Sequence, residues 1–208
     1  MLLVKELTGS DIITVYNEHM VNDFPDNELK PLWAVKRLTK NGLYHAYGLF
    51  EDATLRGYAF FASANNDQAQ QQTLLLDYFA TLAGGRSRGY GTKFLRLLKS
   101  QLQEDFPNCL GIIAEVERVS KAANESEKKM RERRIAFYKR SGFRRTRIKS
   151  QLFGVDFALL FQPYQPKEAE TEKCDLTDDS FIIEQMNLIY AAMLPAPVRK
   201  LNVKFWLK

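Results

Sequence analysis

The 208-residue sequence predicts an α+β protein with a central, mixed but mostly antiparallel sheet, flanked by helices and followed by a C-terminal helix–strand extension. Three observations predict this fold class. Two aromatic-rich strand candidates stand on either side of the turn-like residues 51–54, as in an antiparallel hairpin. A third apolar strand candidate, 73–82, leads through glycines into a helical pattern. The C-terminal residues combine a helical apolar stripe with a strand-like alternation.

The spacing of apolar residues predicts the individual elements along the chain. Helices are predicted at 10–20, 26–40, 89–104 and 131–142, and strands at 42–50, 55–63, 73–82 and 109–117. Two more strands are predicted around a turn near Gly154. The charged residues 121–130 are predicted to form a solvated connection rather than a helix.

The composition divides the chain near Pro163. Residues 1–164 are predicted to form one domain, and residues 165–208 an acidic linker with a folded extension. If it were free, the extension would expose apolar surface, so we expect it to pack on the domain or on a partner subunit. A homodimer is therefore left open. The apolar positions are Ile182, Met186, Ile189 and Met193 in the helix, and Leu201, Val203, Phe205 and Leu207 in the strand.

The bulk composition is that of a globular protein, with 45% hydrophobic and 26% charged residues. No apolar stretch approaches the roughly 18 residues that a membrane helix needs, and the N-terminus lacks the pattern of a signal peptide. Cys109 and Cys174 form neither a metal-ligand spacing nor a disulfide framework, and His19 and His45 are isolated. These features predict a cytoplasmic protein with no membrane partner and no metal.

The positive charge of the chain is concentrated in one segment. Residues 128–149 contain eleven lysines and arginines against one acid, Glu132, although the whole chain carries only +5. Such a patch could bind nucleic acid or a smaller polyanion. Because the chain has no helix-turn-helix and no RNP-like motif, nucleic acid is the less favoured partner, and a nucleic-acid-binding module stays an alternative.

The segment LAGGRSRGYGTKFLRLLKSQL, residues 82–102, places glycines and arginines directly before a helix. The first N–H groups of a helix have no partners within it, and its dipole is positive there, so such a turn can bind an anion. Gly89 and Gly91 each cost the helix about 1 kcal/mol relative to alanine, which requires a local reason. The glycines could instead only shape a tight turn. The segment matches neither the Walker nor the dinucleotide-binding glycine pattern.

Two motifs resemble those of the GCN5-related N-acetyltransferases, the GNAT superfamily. Arg86-Ser87-Arg88-Gly89-Tyr90-Gly91 is similar to its acetyl-CoA loop, [QR]-x-x-G-x-[GA], and AFYKRSGF, 136–143, is similar to its A-x-x-[FL]-Y-x-x-x-G-F helix end. The preceding IAEVE resembles the fifth strand of that family, and element order agrees over about residues 1–160. The resemblance implies the GNAT fold and acetyl-CoA as cosubstrate. The implied cofactor-binding residues are Phe79, Ala80, Thr81, Arg86, Ser87, Arg88, Gly89, Tyr90, Gly91 and Thr92.

The resemblance also implies an acid and a base. Tyr138 matches the tyrosine that the family often uses as general acid, although it could instead be a packed aromatic. Glu115 matches a glutamate that some members use as general base, with Glu117, Asp77 or a water as alternatives. The family often has an asparagine seven residues before the tyrosine, where this chain has Arg131; Asn124 lies further back.

The function implied by the resemblance is acetyl transfer from acetyl-CoA to a primary amine, by direct attack in a ternary complex. The acceptor, a small molecule or a protein, cannot be read from the sequence. A protein that binds acetyl-CoA as a regulator without turnover is the second alternative.

Overall fold

The computed structural model describes residues 1–65, 67, 71–82, 89–164 and 178–207. These residues form two compact units. Unit 1 consists of Met1–Ala62 and Leu76–Asp105, and unit 2 of Ser63–Leu75 and Phe106–Lys208. The boundary predicted at residue 164 is a different division, and it stays a prediction.

Unit 1 is a sheet of three strands and part of a fourth, with helices. The strands β1, β2, β3 and the second half of β4 lie side by side in that order. The first three pair antiparallel, with Val4 opposite Leu49 and Tyr44 opposite Ala62. Its elements are β1 Leu2–Leu7, α1 Ser10–Val15, a π-helical turn Tyr16–Met20, α2 Val21–Asp23, α3 Leu32–Lys40, β2 Tyr44–Glu51, β3 Thr54–Ala62, β4 Gln72–Thr81 and α4 Tyr90–Asp105.

The β2–β3 connection is a tight hairpin, as the sequence predicts. Asp52 and Ala53 both have positive φ, +47° and +69°, which two-residue hairpin turns require at their central positions. Position 57 on β3 requires glycine for a different reason: a Cβ there would lie 2.7 Å from the Ala80 carbonyl oxygen of β4. The glycine therefore lets β3 approach the end of β4 closely.

Unit 2 contains five strands or parts of strands, with helices. The first half of β4, then β5, β7, β6 and β8 lie side by side in that order. The pairs β5–β7, β6–β7 and β6–β8 are antiparallel. Its other elements are β5 Cys109–Glu117, a 3-10 turn Val119–Lys121, α5 Glu125–Arg140, β6 Arg144–Leu152, β7 Val155–Pro163, α6 Asp179–Met193, α7 Ala196–Asn202 and β8 Val203–Leu207.

The described part of the C-terminal extension packs within unit 2. The stripe of Ile182, Met186, Ile189 and Met193 on α6 is buried, and β8 pairs with β6, where Ser150 lies opposite Phe205. The predicted helix is therefore confirmed, and the predicted strand is confirmed over Val203–Leu207. Leu201, which was predicted to be part of the strand, lies in α7 and is exposed. A homodimer stays a prediction.

The predicted secondary structure differs from the structure in several places. Residues 121–130 were expected to be a connection, but α5 begins at Glu125. It begins there because Asn124 caps the helix: its Oδ1 accepts from the Glu127 N–H at 2.9 Å, and the Glu127 carboxylate accepts from the Ala123 N–H at 2.5 Å. The helix predicted at 26–40 begins only at Leu32, after the extended Pro31. The edge strand β1 and the short helix α7 were not predicted.

In the part of the chain that the structure describes, no helix has the length and apolarity to span a bilayer, and no group of three or more histidine, cysteine or acidic side chains could hold a metal. Cys109 is buried, and desolvation raises the pKa of its thiol to about 12. Cys174 lies outside the described residues.

Candidate active site

The glycine turn of unit 1 connects β4 to α4. Of the predicted loop residues, Arg86, Ser87 and Arg88 lie outside the described residues. Gly89 has a φ of +73°, and the space that a Cβ would fill there is open. This left-handed conformation is the local reason for a glycine. Helix α4 starts at the next residue, Tyr90, and the Lys93 N–H donates to the Gly89 carbonyl at 3.1 Å.

The β2–β3 hairpin holds both flanks of this turn. On one side, the Leu82 N–H donates to the Arg56 carbonyl oxygen at 2.9 Å. On the other, the Tyr90 hydroxyl donates to Glu51 Oε2 at 2.7 Å. The Arg56 guanidinium lies 3.1 Å from the same Glu51 oxygen. Glu51 therefore connects the two ends of the turn.

The last residues of β4 are the predicted contacts of the pantetheine arm. Phe79, Ala80 and Thr81 are partly exposed. The Phe79 ring stacks on Phe94 of α4, with 5.4 Å between the ring centroids. The strand end thus packs against α4 in unit 1, and Gly91 and Thr92 lie in the first turn of that helix.

Asp77, an alternative base, is part of a partly buried network. Its carboxylate accepts from Lys30 Nζ at 2.7 Å and 2.9 Å, and from the Tyr44 hydroxyl. The Tyr78 hydroxyl accepts from the Lys30 N–H at 2.8 Å and donates to the Glu28 carbonyl at 2.9 Å. To act as a base, Asp77 would have to take up a proton beside a bound ammonium group.

Tyr138, the predicted acid, is a buried residue of α5 in unit 2. Its ring lies between Phe137 and Phe143, with centroid distances of 5.2 Å and 5.1 Å. Burial raises the pKa of its phenol to about 12. Its hydroxyl makes no hydrogen bond to any described residue. The phenol is therefore kept protonated at neutral pH, and its donor is not used by the described part of the protein.

Glu115, the predicted base, lies on β5 and is partly buried. Oε1 accepts from the Ser150 hydroxyl of β6 at 2.7 Å, and Oε2 accepts from the Tyr190 hydroxyl of α6. Both carboxylate oxygens thus have a hydroxyl donor. Sequence reasoning missed Ser150 and Tyr190, because the two residues lie 35 and 75 positions away from Glu115.

Glu117, Arg131 and Asn124 have structural partners. Arg131 lies 2.7 Å from Glu117 and 2.6 Å from Glu127, and it donates to the Arg118 carbonyl at 2.7 Å. Glu117 also binds Arg134 at 3.0 Å. The asparagine amide of residue 124 caps α5. Arg131, at the position of the family's asparagine, therefore binds the end of β5 instead.

The basic segment is partly neutralised and partly lines a groove. Arg144 and Arg147 face Asp179 at 4.0 Å and 3.0 Å, which reduces the free charge. A groove of about 690 Å³ is lined by residues that include Arg118, Lys128, Arg145 and Lys149. Between Arg145 and Lys149, β6 advances four residues while β7 advances two, so a bulge in β6 separates these two groove residues.

No protein-family model matches this sequence, and no curated protein matches it. Solved structures do match. One is described as a GNAT-family acetyltransferase from Bacteroides thetaiotaomicron, with 24% identity over 92% of this chain and 99% of that chain, at a TM-score of 0.61. The Escherichia coli ribosomal-protein-S18-alanine N-acetyltransferase has 17% identity over 83% of this chain and 99% of its own, at 0.56. A GNAT-family acetyltransferase from Elizabethkingia anophelis with acetyl-CoA bound has 12% identity over 78% of this chain and 98% of its own, at 0.51.

The chain has the fold of the GNAT acetyltransferases. The fold predicted from the two motifs is therefore confirmed. The GNAT fold places the glycine turn at the β4–α4 junction of unit 1 and the tyrosine motif on α5 of unit 2. The roles of the individual residues stay predictions.

Proposed function

We propose that this protein is an acetyl-CoA-dependent N-acetyltransferase that acetylates a primary amine of a small molecule or a protein. The observation that carries the proposal is the GNAT fold together with a strand, a left-handed glycine and a helix start at the acetyl-CoA loop. That arrangement supplies backbone N–H groups and a positive helix end for the pyrophosphate of coenzyme A. The backbone of Phe79, Ala80 and Thr81 would hold the pantetheine arm and the thioester carbonyl.

The proposed reaction is direct attack in a ternary complex. The neutral amine nitrogen forms a bond to the thioester carbonyl carbon, the carbonyl oxygen becomes an oxyanion, and the C–S bond then breaks. The amine loses one proton and the leaving thiolate gains one. Tyr138 is proposed to protonate the thiolate, because its phenol stays protonated and its hydroxyl has no partner among the described residues.

Glu115 is proposed to take the proton of the amine, directly or through water. Its two hydroxyl donors favour the ionised carboxylate, which is the form a base needs. Asp77 and Glu117 are weaker candidates, because Lys30 holds the first, and Arg131 and Arg134 hold the second.

An acceptor screen with acetyl-CoA and thiol detection tests the function. We expect acetyl-CoA-dependent thiol release with at least one class of amine, among aminoglycosides, polyamines, amino acids and protein N-termini. Tight acetyl-CoA binding without turnover on any acceptor would instead support a regulator. With the acceptor that the screen identifies, Glu115→Gln is expected to lower kcat about 10²-fold or more and to remove the acid limb of the pH–rate profile. A cytoplasmic location stays a prediction.

A further inference from the structure

The Glu115 carboxylate is held by two hydroxyl groups from different elements. Ser150 lies on β6 and binds Oε1 at 2.7 Å, while Tyr190 lies on α6 and binds Oε2. Tyr190 comes from the C-terminal extension, which follows the two motifs of the acetyltransferase resemblance in sequence. A residue of the extension therefore contacts a proposed catalytic side chain within unit 2.

The extension holds Tyr190 in place from several sides. The residue is 1% exposed, and its neighbours on the α6 stripe, Met186 and Ile189, are fully buried. Its ring contacts Phe205 of β8 at a centroid distance of 6.1 Å. Phe205 in turn lies opposite Ser150 on β6. The two hydroxyl donors of Glu115 are thus positioned by the same packed region.

We propose that Tyr190 is a positioning residue for Glu115, so that the C-terminal extension completes the acid–base centre rather than only covering the sheet. This inference rests on the proposed function. One hydroxyl donor on each oxygen, from two different elements, fixes the orientation of the carboxylate.

The proposal predicts a particular direction of change with pH. A hydroxyl that donates to the carboxylate stabilises its charged form and lowers its pKa. Loss of the Tyr190 donor should therefore raise the pKa of Glu115. Because the base must be ionised to act, the acid limb of the pH–rate profile should move to higher pH.

Charged groups on the elements around Glu115 have partners of their own. On β5, Glu117 binds Arg131 and Arg134 of α5. At the start of α6, Asp179 faces Arg147 of β6. The β7 residue opposite Glu115 is the apolar Leu159. On β6, Lys149 lines the basic groove, and alternation along the strand directs it away from the face of Ser150. On β8, alternation likewise directs Lys204 away from the face of Phe205.

The test compares Tyr190→Phe with the wild-type protein. In kcat/KM against pH, we expect the midpoint of the acid limb to rise by about one pH unit, with about a tenfold loss well below the midpoint. Ser150→Ala should move the limb in the same direction. Tyr47→Phe is the matched control, because Tyr47 donates a buried tyrosine hydroxyl to a different carboxylate, Asp105, at 2.7 Å. It should leave the limb in place.

A second measurement tests the proposal without acetyl transfer. NMR titration of carboxyl-labelled glutamate, assigned through Glu115→Gln, measures the pKa of Glu115 directly. The proposal is overturned if the pKa of Glu115 is the same in Tyr190→Phe and in the wild-type protein. It is also overturned if that pKa rises while the acid limb of the pH–rate profile stays in place. If no acceptor is acetylated at all, the proposed function fails, whereas the titration still shows whether Tyr190 acts on Glu115.

Discussion

The Tyr90 hydroxyl donates a 2.7 Å hydrogen bond to Glu51, which joins the first residue of α4 to the end of β2. The same Glu51 oxygen binds Arg56, whose carbonyl accepts from the Leu82 N–H. The hydrogen bond from Tyr90 is the main reason that the pKa of Glu51 lies below its usual value. Glu51 thus binds the first residue of α4 and the side chain of Arg56, whose backbone binds Leu82 at the end of β4.

Tyr90→Phe should weaken acetyl-CoA binding by about fivefold, because the phenyl ring keeps the packing but loses one hydrogen bond to a charged group. Calorimetry with acetyl-CoA measures this directly. Glu51→Gln, which keeps a neutral acceptor, should give an intermediate affinity. Equal affinity in Tyr90→Phe and the wild-type protein would show that the connection to Glu51 does not shape the binding loop.

Gly89→Asp should abolish measurable acetyl-CoA binding, since it adds a negative charge and a side chain where the pyrophosphate is expected. Gly154→Asp is a matched control: Gly154 has a φ of +83° against +73° for Gly89, and both have open space at the Cβ position. Both variants carry the same backbone strain, so thermal unfolding should change similarly. Retained binding in a folded Gly89→Asp protein would refute the site.

The parts of the fold that depend on local pattern could be predicted from the sequence. Strand β5 was predicted at 109–117 and is Cys109–Glu117, and α4 begins one residue after the predicted start. Both have dense apolar spacing that local sequence reveals. The edge strand β1 was missed because the apolar residues of its sequence, LLVKEL, do not alternate with polar ones.

In the candidate site, too, the features that are local in sequence could be predicted and the long-range contacts could not. The glycine turn and the tyrosine motif are contiguous in sequence, so each could be recognised before the fold was known. The partners of Glu115 could not, because Ser150 and Tyr190 come from distant elements that only the packed sheet and α6 bring together. Lys30 was missed as the partner of Asp77 for the same reason, because the two residues are 47 positions apart in sequence.

Glu117→Gln should destabilise the protein by about 2 kcal/mol, because the largely buried Arg131 guanidinium loses one of its two carboxylate partners and keeps only Glu127. The side chains of Arg131 and Glu117 are 8% and 13% exposed. Glu125→Gln is the contrasting variant, since the Glu125 and Lys128 side chains are 75% and 45% exposed, and such pairs contribute about 1 kcal/mol or less. Denaturant unfolding of both variants measures the difference, and similar small losses would mean that Arg131 does not depend on Glu117.

Tyr138→Phe should lower kcat/KM by about 10² to 10⁴-fold, the usual contribution of a general acid, with acetyl-CoA affinity nearly unchanged. Phenylalanine keeps the ring contacts with Phe137 and Phe143, and no hydrogen bond to a described residue is lost, so thermal stability should hardly change.

The pKa of the Tyr138 phenol, raised to about 12 by burial, sets the sign of the pH effect. The acid must be protonated to act, so activity should persist as pH rises through 10, the usual value for tyrosine, and any loss due to Tyr138 should come only near pH 12. Phe143→Leu, which disturbs the packing but keeps the hydroxyl, separates the two roles. A structural Tyr138 would give similar stability losses in both variants with little change in kcat, whereas a catalytic Tyr138 would show its kinetic loss in Tyr138→Phe alone.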